Sequence, residues 1–351
     1  MAPAFHSNRS AAAFALFLIL LISLPALLGR LGLTSRKELY KAISPTFGAN
    51  SAIEQTIFAG PLQSDVVILG SSPAICAFPP GALDKYLGSE LRRKAVVEYL
   101  ILQRSGPDKL FLMLKDYLST HDTKLIVAEL PWRTYASYGP SVDLNTLLRF
   151  GELQGDLAEL TPADRLRIYS EQTVSAPRQL LNDLRPNGSF VGPYDDVDRS
   201  EKRGMDGPFN PDHATAPAGL ARSCIIPISS RRIKVVEPNP TNDYYNALFY
   251  TKICSLAKSR GIAIIFASFP EFGDYGTPDI PINLSLTSTF DSGQKLLAVS
   301  AADLFGNMSK ARFRNFFRDD VHLNANGAQL FDDVAFPAIC REYEKAAQDH
   351  E

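Results

Sequence analysis

The stretch that most narrows what this chain can fold into is Asp65-Val66-Val67-Ile68-Leu69-Gly70. It is apolar at every inner position and ends on glycine, so it suits a strand buried on both faces inside a parallel sheet. Two further runs have the same character. Thr123 to Leu130, TKLIVAEL, is closed by Pro131, and Ile262 to Ala267, IAIIFA, follows Gly261. Ala95 to Leu102, AVVEYLIL, is a weaker strand pattern, and Leu296 to Leu304 supplies a short fifth strand. Helical patterns lie between them. Ser105-Gly106-Pro107-Asp108 opens a helix with Ser105 or Gly106 near the N-cap and Pro107 in its first turn, and Leu110, Phe111, Leu114 and Leu118 mark the apolar face. Thr241 or Asn242 caps a helix running to Arg260, and a last helix extends from Asn324 to Ala347. This alternation predicts an α/β fold: a mainly parallel sheet between helices, in a three-layer α/β/α sandwich.

The pattern is interrupted twice. Ala11 to Leu28 is an almost unbroken apolar run, AAAFALFLILLISLPALL, about the length that crosses a bilayer. Its end, Leu27-Leu28-Gly29, is a poor small-x-small cleavage site, so residues 1–30 are expected to be an uncleaved signal anchor. Residues 31–63 follow as a stalk, and the α/β domain occupies 64–351. Within that domain, 133–240 is an insertion. Its first part is helical, with apolar spacing over Leu144 to Leu160 and a helix start at Thr161-Pro162-Ala163-Asp164 running to about Leu184. Its second part, Arg185 to Leu220, is rich in Gly, Pro and Asp and reads as a loop or lid.

Composition excludes some chemistry. A net charge of -2 over 351 residues offers no bulk attraction for nucleic acid. Cys76, Cys224, Cys254 and Cys340 are widely spaced, with no Cys or His ligand pattern, so neither a metal nor another cofactor is expected. Two states are open for these cysteines: buried thiols, or one or two disulfides if the domain is exported.

In open α/β sheets ligands bind beyond the C-terminal ends of the strands. Ser71-Ser72, Gly106, the stretch Glu129 to Arg133, and Glu271 all fall there in this reading. Far along the chain, Asp319 and His322 stand three residues apart just before the final helix. A carboxylate at that spacing can hold imidazole Nδ1 and leave Nε2 free to take a proton from a nucleophile. Ser72 is the candidate nucleophile, with Ser71 as its competitor, although Ser71 also suits the shaping of the turn. Asp320 competes with Asp319 as the acid. His6 and His350 are terminal, His121 precedes a strand at the wrong edge, and His213 lies in the loose loop. Trp132 beside Arg133 suits stacking on a sugar ring, and suits equally a plug under the insertion.

Leu69-Gly70-Ser71-Ser72 followed by Phe78-Pro79-Pro80-Gly81-Ala82-Leu83, and Asp319-x-x-His322-Leu323-Asn324 followed by Gly327-Ala328, resemble the first and last sequence blocks of the SGNH/GDSL hydrolase superfamily. The similarity is to its membrane-anchored bacterial branch, which includes D-alanine transfer proteins of teichoic acids and alginate-type O-acetylation proteins. It covers about Asp65 to Leu130 and Gly261 to Ala347, and leaves out the insertion. The resemblance implies Ser72 as nucleophile, Asp319 and His322 as acid and base, and Gly106 as an oxyanion-hole backbone donor. Ser71, Trp132 and Arg133 would lie around the pocket. The family's Gly-x-Asn-Asp block has no counterpart; Glu129-Leu130-Pro131-Trp132 stands in its place. Loss of one oxyanion donor lowers rates roughly a hundredfold or more, which favours a slow transferase, or a domain with vestigial chemistry, over an efficient general esterase.

The expected activity is therefore that of a serine hydrolase or O-acyltransferase acting through an acyl-Ser72 intermediate. Its partners would be an acyl donor and a cell-envelope or exported glycan acceptor, with the membrane reached through residues 11–28. The alternative is an inactive accessory subunit of an envelope polysaccharide complex that docks through 133–240. Arg30, Arg36, Lys37 and Lys41 after the apolar run would place the domain in the cytoplasm by charge, whereas the N-terminal apolar run itself resembles an export signal and favours an extracytoplasmic domain.

Overall fold

The inner strands form where the sequence is apolar at successive positions. The computed structural model describes residues 7–31, 36–41, 50–102, 105–130, 155, 157–170, 220–227, 230, 232–236, 240–283, 290, 294–306 and 308–348. The chain divides into two compact units, Met1–Ser44 with Asp143–Pro193, and Pro45–Val142 with Tyr194–Glu351.

The second unit is an α/β structure around a mainly parallel mixed sheet of six strands. These are β1 (Gln63–Gly70), β2 (Val97–Ile101), β3 (Asp122–Glu129), β4 (Ile225–Pro227), β6 (Ala263–Ser268) and β8 (Lys295–Ala298). Their order is β2-β1-β3-β6-β8-β4, and all pairs are parallel except β4 with β8. The chain places β2 on one side of β1 and then crosses to β3 on the other, so the strand order reverses at β1, the kind of switch point beyond whose strand ends ligands bind in open α/β sheets. A separate two-stranded parallel sheet pairs β5 (Ile233–Val236) with β7 (Ile280–Asn283).

Alternation along the strands divides the buried side chains between the two faces. Val66, Ile68, Leu125, Val127, Ile265 and Leu297 share one core cluster with helices α4 (Ser72–Ala77), α5 (Ala82–Glu90) and α11 (Ala325–Gln348). The short α7 (Leu220–Ser223) packs on α11, and α10 (Lys310–Arg314) adds Phe313 to the same cluster. Val67, Leu69, Ile126 and Ala128 are buried as completely between these positions. Helices α6 (Pro107–Leu118) and α8 (Pro240–Ser259) pack on each other, α6 against β1 and β2 and α8 against β6. Full burial of a Val, Leu or Ile side chain is worth about 1.5–3 kcal/mol, which is why these continuous runs are inner strands.

Some elements depart from the sequence expectation. The fifth strand, read as Leu296 to Leu304, ends at Ala298. Ser300 then accepts a hydrogen bond from Asp303 N at 3.0 Å and caps a short helix, α9 (Ala301–Phe305). The local capping geometry overrides the apolar run. Strands β4, β5 and β7 are too short to show a period in the sequence. Of the segment 31–63 read as a stalk, α3 (Asn50–Ala59) packs on β2 and α6, with Ile53 and Ile57 fully buried. Within the insertion, residues 144–156 apart from Gly155, and residues 171–219, lie outside the described residues. All four cysteines are free thiols.

In the first unit, α1 (Asn8–Leu31) carries exposed Phe14, Leu16, Phe17, Ile19, Leu20 and Ile22. A single-turn helix, α2 (Arg36–Lys41), buries Leu39 and Tyr40. Residues 162–170 are helical. There the Thr161 hydroxyl donates to Asp164 Oδ2 at 2.7 Å and accepts from Asp164 N at 3.2 Å, as the expected helix start requires. Among the described residues no helix is both long and apolar enough to cross a membrane.

Candidate active site

The polypeptide brings together, beyond the ends of β1 and β3, side chains from opposite ends of the chain. Ser71 is the N-cap of α4 with extended backbone, and Ser72 is the first helical residue, followed by Pro73 where its missing N–H is harmless. The Ser72 hydroxyl lies 2.9 Å from His322 Nε2, across 250 residues of sequence. His322 Nδ1 lies 2.7 Å from Asp319 Oδ2.

The Asp-x-x-His turn explains this geometry. Asp319 Oδ1 accepts from the N–H groups of both Val321 and His322 at 2.8 Å, so one carboxylate folds the turn with one oxygen and orients the imidazole with the other. Partial burial works against ionisation of Asp319. The Val321 N–H, the His322 imidazole and the His322 N–H prevail and hold its carboxyl below the usual aspartate value. The turn is closed by Arg318 N donating to His322 O at 2.8 Å and by an antiparallel bridge between Phe317 and Leu323. It is tied to the exit of β6 by Phe272 N donating to Asp320 O at 3.0 Å.

Helix α11 starts immediately afterwards. Asn324 Oδ1 accepts from Asn326 N at 3.0 Å and Gly327 N at 3.1 Å, while Asn324 N donates to Phe316 O at 3.0 Å. Gly327 has no room for a side chain: a Cβ there would stand 2.2 Å from Phe316 O and 2.9 Å from Leu323 Cδ2. Gly327→Ala is therefore expected to destabilise the sheet unit by about 1–3 kcal/mol, as overpacking does, and a thermal melt of the variant reads it.

The competing candidates separate cleanly. The Ser71 hydroxyl donates to Glu129 Oε1 at 2.7 Å, whereas Ser72 faces the imidazole. Asp320 pairs with Arg314 at 2.7 Å and its side chain is 81% exposed. His121 is buried at the opposite edge, stacked on Tyr117 with ring centroids 4.5 Å apart. Gly106 is the N-cap of α6, beyond β2 and on the same sheet edge as Ser72. Glu271, placed above beyond a strand end, caps a 3-10 turn at Phe272–Asp274. Trp132, Arg133 and His213 lie outside the described residues. Among the described residues there is no cluster of His, Cys, Asp and Glu able to hold a metal ion.

The residue whose part sequence reasoning missed is Glu129. It ends β3 and accepts from Ser71 N at 2.5 Å, from the Ser71 hydroxyl, and from the backbone of Ala74. Burial pushes its carboxyl up to about 7, against the lowering effect of those donors. The available signal was an acidic residue directly after the apolar stretch Leu125–Ala128 of an inner strand.

Comparison with protein-family models gives no match for the chain, and comparison with curated proteins gives none either.

Proposed function

We propose that this protein is a membrane-anchored serine hydrolase or O-acyltransferase of SGNH type, with a three-layer α/β/α domain and an acyl-Ser72 intermediate. One observation carries the reading: the continuous line of hydrogen bonds from Asp319 through His322 to Ser72, at 2.7 and 2.9 Å. Serine is a poor nucleophile until a neighbouring base accepts its proton, and this line supplies the base and its orientation.

In the reaction, Ser72 Oγ attacks the carbonyl carbon of an acyl ester while His322 Nε2 takes the hydroxyl proton. Asp319 stabilises the imidazolium that forms and holds Nδ1 as its donor. The Ser72 N–H faces the developing oxyanion, with Gly106 contributing by analogy with the SGNH family. Collapse of the tetrahedral adduct breaks the ester C–O bond, and the imidazolium gives its proton to the departing alkoxide. In the second half, His322 deprotonates water or a sugar hydroxyl. That oxygen attacks acyl-Ser72, and the proton returns to Ser72 as the acyl group leaves. A hydroxyl acceptor on a cell-envelope or exported glycan makes the enzyme a transferase, and water makes it a hydrolase.

The apolar side chains exposed along α1 support contact with a membrane, although no described helix meets the length and apolarity of a span, and the sheet-bearing unit is placed outside the cytoplasm in this reading because the N-terminal apolar run resembles an export signal. A C-terminal reporter active only outside the cytoplasm tests the sidedness.

The experiment for the activity is covalent labelling of the full chain with a serine-directed phosphonate. The expected adduct is on Ser72, with none in Ser72→Ala. Labelling that survives this substitution would sink the assignment. The absence of a Gly-x-Asn-Asp block favours, as a second reading, an accessory subunit without turnover. Normal function of a Ser72→Ala/His322→Ala chain in cells is the result that would select it.

A further inference from the structure

The parallel register of β1 and β3 sets Leu69 beside Ala128, and so brings Gly70 beside Glu129. A Cβ at Gly70 would stand 2.7 Å from Glu129 Oε2 and 2.4 Å from Ala74 Cβ, so the glycine leaves the space that the carboxyl occupies. From there Glu129 receives the Ser71 N–H at 2.5 Å and the Ser71 hydroxyl at 2.7 Å. The Ala74 N–H, in the first turn of α4, is its third donor. Ser71 has no cap of its own to offer this helix, since its side chain makes no capping hydrogen bond. Glu129 supplies that function from the neighbouring strand.

Ser72 lies between two residues that Glu129 holds, one before it and one two positions after. We infer that Glu129 is a positioning residue that fixes the strand-to-helix turn carrying Ser72, holding Ser72 Oγ within reach of His322 and withdrawing the Ser71 hydroxyl from it. This rests on the reading of Ser72 as the acylated residue. Without Glu129 the buried Ser71 and Ala74 N–H groups at the start of so short a helix would lose that acceptor, and the turn would lose the contacts that fix its orientation. A shift of about 1 Å at a reacting atom can lower a rate by about a hundredfold.

Glutamine in place of Glu129 keeps the arrangement. Its amide oxygen takes the two backbone N–H groups and its NH₂ donates to Ser71 Oγ, whose hydroxyl rotates to accept. Alanine provides none of these contacts. The test compares wild type, Glu129→Ala, Glu129→Gln and Ser72→Ala as full chains shown to be folded by circular dichroism. It has two readouts: the rate constant of phosphonylation, separated from reagent affinity, and the ¹⁵N shift of His322 Nε2.

Glu129→Ala is expected to lower the rate constant by about a hundredfold with little change in affinity. Its His322 Nε2 signal should move to the position seen in Ser72→Ala. Glu129→Gln should recover the rate to within about tenfold and keep the wild-type signal. A Glu129→Ala chain with the wild-type rate and the wild-type Nε2 signal overturns the inference. If wild type takes no phosphonate, the acyl-enzyme reading fails, and the Nε2 signal alone decides whether Glu129 positions Ser72. Should Glu129→Ala not fold, Ser71→Ala carries the same test, with a rate loss of about tenfold expected and an unchanged rate and signal overturning it.

Discussion

If the proposed activity holds, Ser72→Ala is expected to lower turnover of an activated acyl ester by at least about 10⁴-fold, and His322→Ala by a similar factor, because the two would act as one unit. The physical reason is the 2.9 Å contact between them. Without the imidazole the hydroxyl keeps its proton, and without the hydroxyl the imidazole has nothing to activate. The double variant Ser72→Ala/His322→Ala is therefore expected to be no slower than either single one. Asp319→Asn should be milder, about a hundredfold, since the Asp319 side chain is 51% exposed and water can replace part of its effect on the imidazolium. Steady-state kcat/KM across these four chains measures the pattern. Losses that multiply in the double variant would show that the two side chains act independently, contrary to the mechanism proposed.

Asp332→Asn is expected to raise the stability of the protein above neutral pH and to flatten its dependence on pH. Asp332 is on α11 and 9% exposed, and its Oδ1 has no hydrogen-bond partner among the described residues. Burial, reinforced by the neighbouring Asp333 charge, pushes its carboxyl up to about 9. Asp84 and Asp332 both raise Tyr99, so this part of the fold gathers acidic groups. A carboxyl raised in the folded state binds its proton more tightly there than in the unfolded chain. Its stabilising effect is complete below the unfolded value near 4 and is lost progressively as pH rises toward the folded value.

Between pH 5 and 8 this single group contributes a fall of about 1.4 kcal/mol per pH unit. Glu98, raised to about 7 by burial and by Asp84, and Glu129, also raised to about 7, add to the fall over the lower part of that range. Urea unfolding of wild type at pH 5, 6.5 and 8 should show the decline. Asp332→Asn should remove about one proton's worth of the slope and be the more stable chain at pH 8. Equal slopes in the two proteins would mean that Asp332 titrates normally.

Much of the candidate site is legible in the residues, and the rest is hidden for identifiable reasons. Asp319 and His322 can be paired from sequence because the turn that joins them is local: one carboxylate caps two N–H groups two and three residues on. The strand preceding Ser72 is legible because burial on both faces needs an uninterrupted apolar run. Glu129 can be assigned to the right sheet edge from its strand, but not to its partner. Its contact with Ser71 spans 58 residues and depends on the register of β1 against β3, which no spacing encodes. The short strands β4, β5 and β7 carry three or four residues each, too few for a period to emerge.

From the residues alone came the α/β class with its inner strands, the apolar N-terminal segment, and the Asp-x-x-His turn before a capped helix. Each is dictated by burial or by hydrogen bonds within a few residues, and such terms are readable in order along the chain. The tertiary structure decided which serine meets the imidazole, which aspartate orients it, and what holds the serine's helix in place. Ser71 and Ser72 are chemically alike and adjacent, as are Asp319 and Asp320. They are told apart by the path of β1 beside β3 and by the tether between Phe272 and the Asp319 turn, contacts that exist only once the sheet has formed.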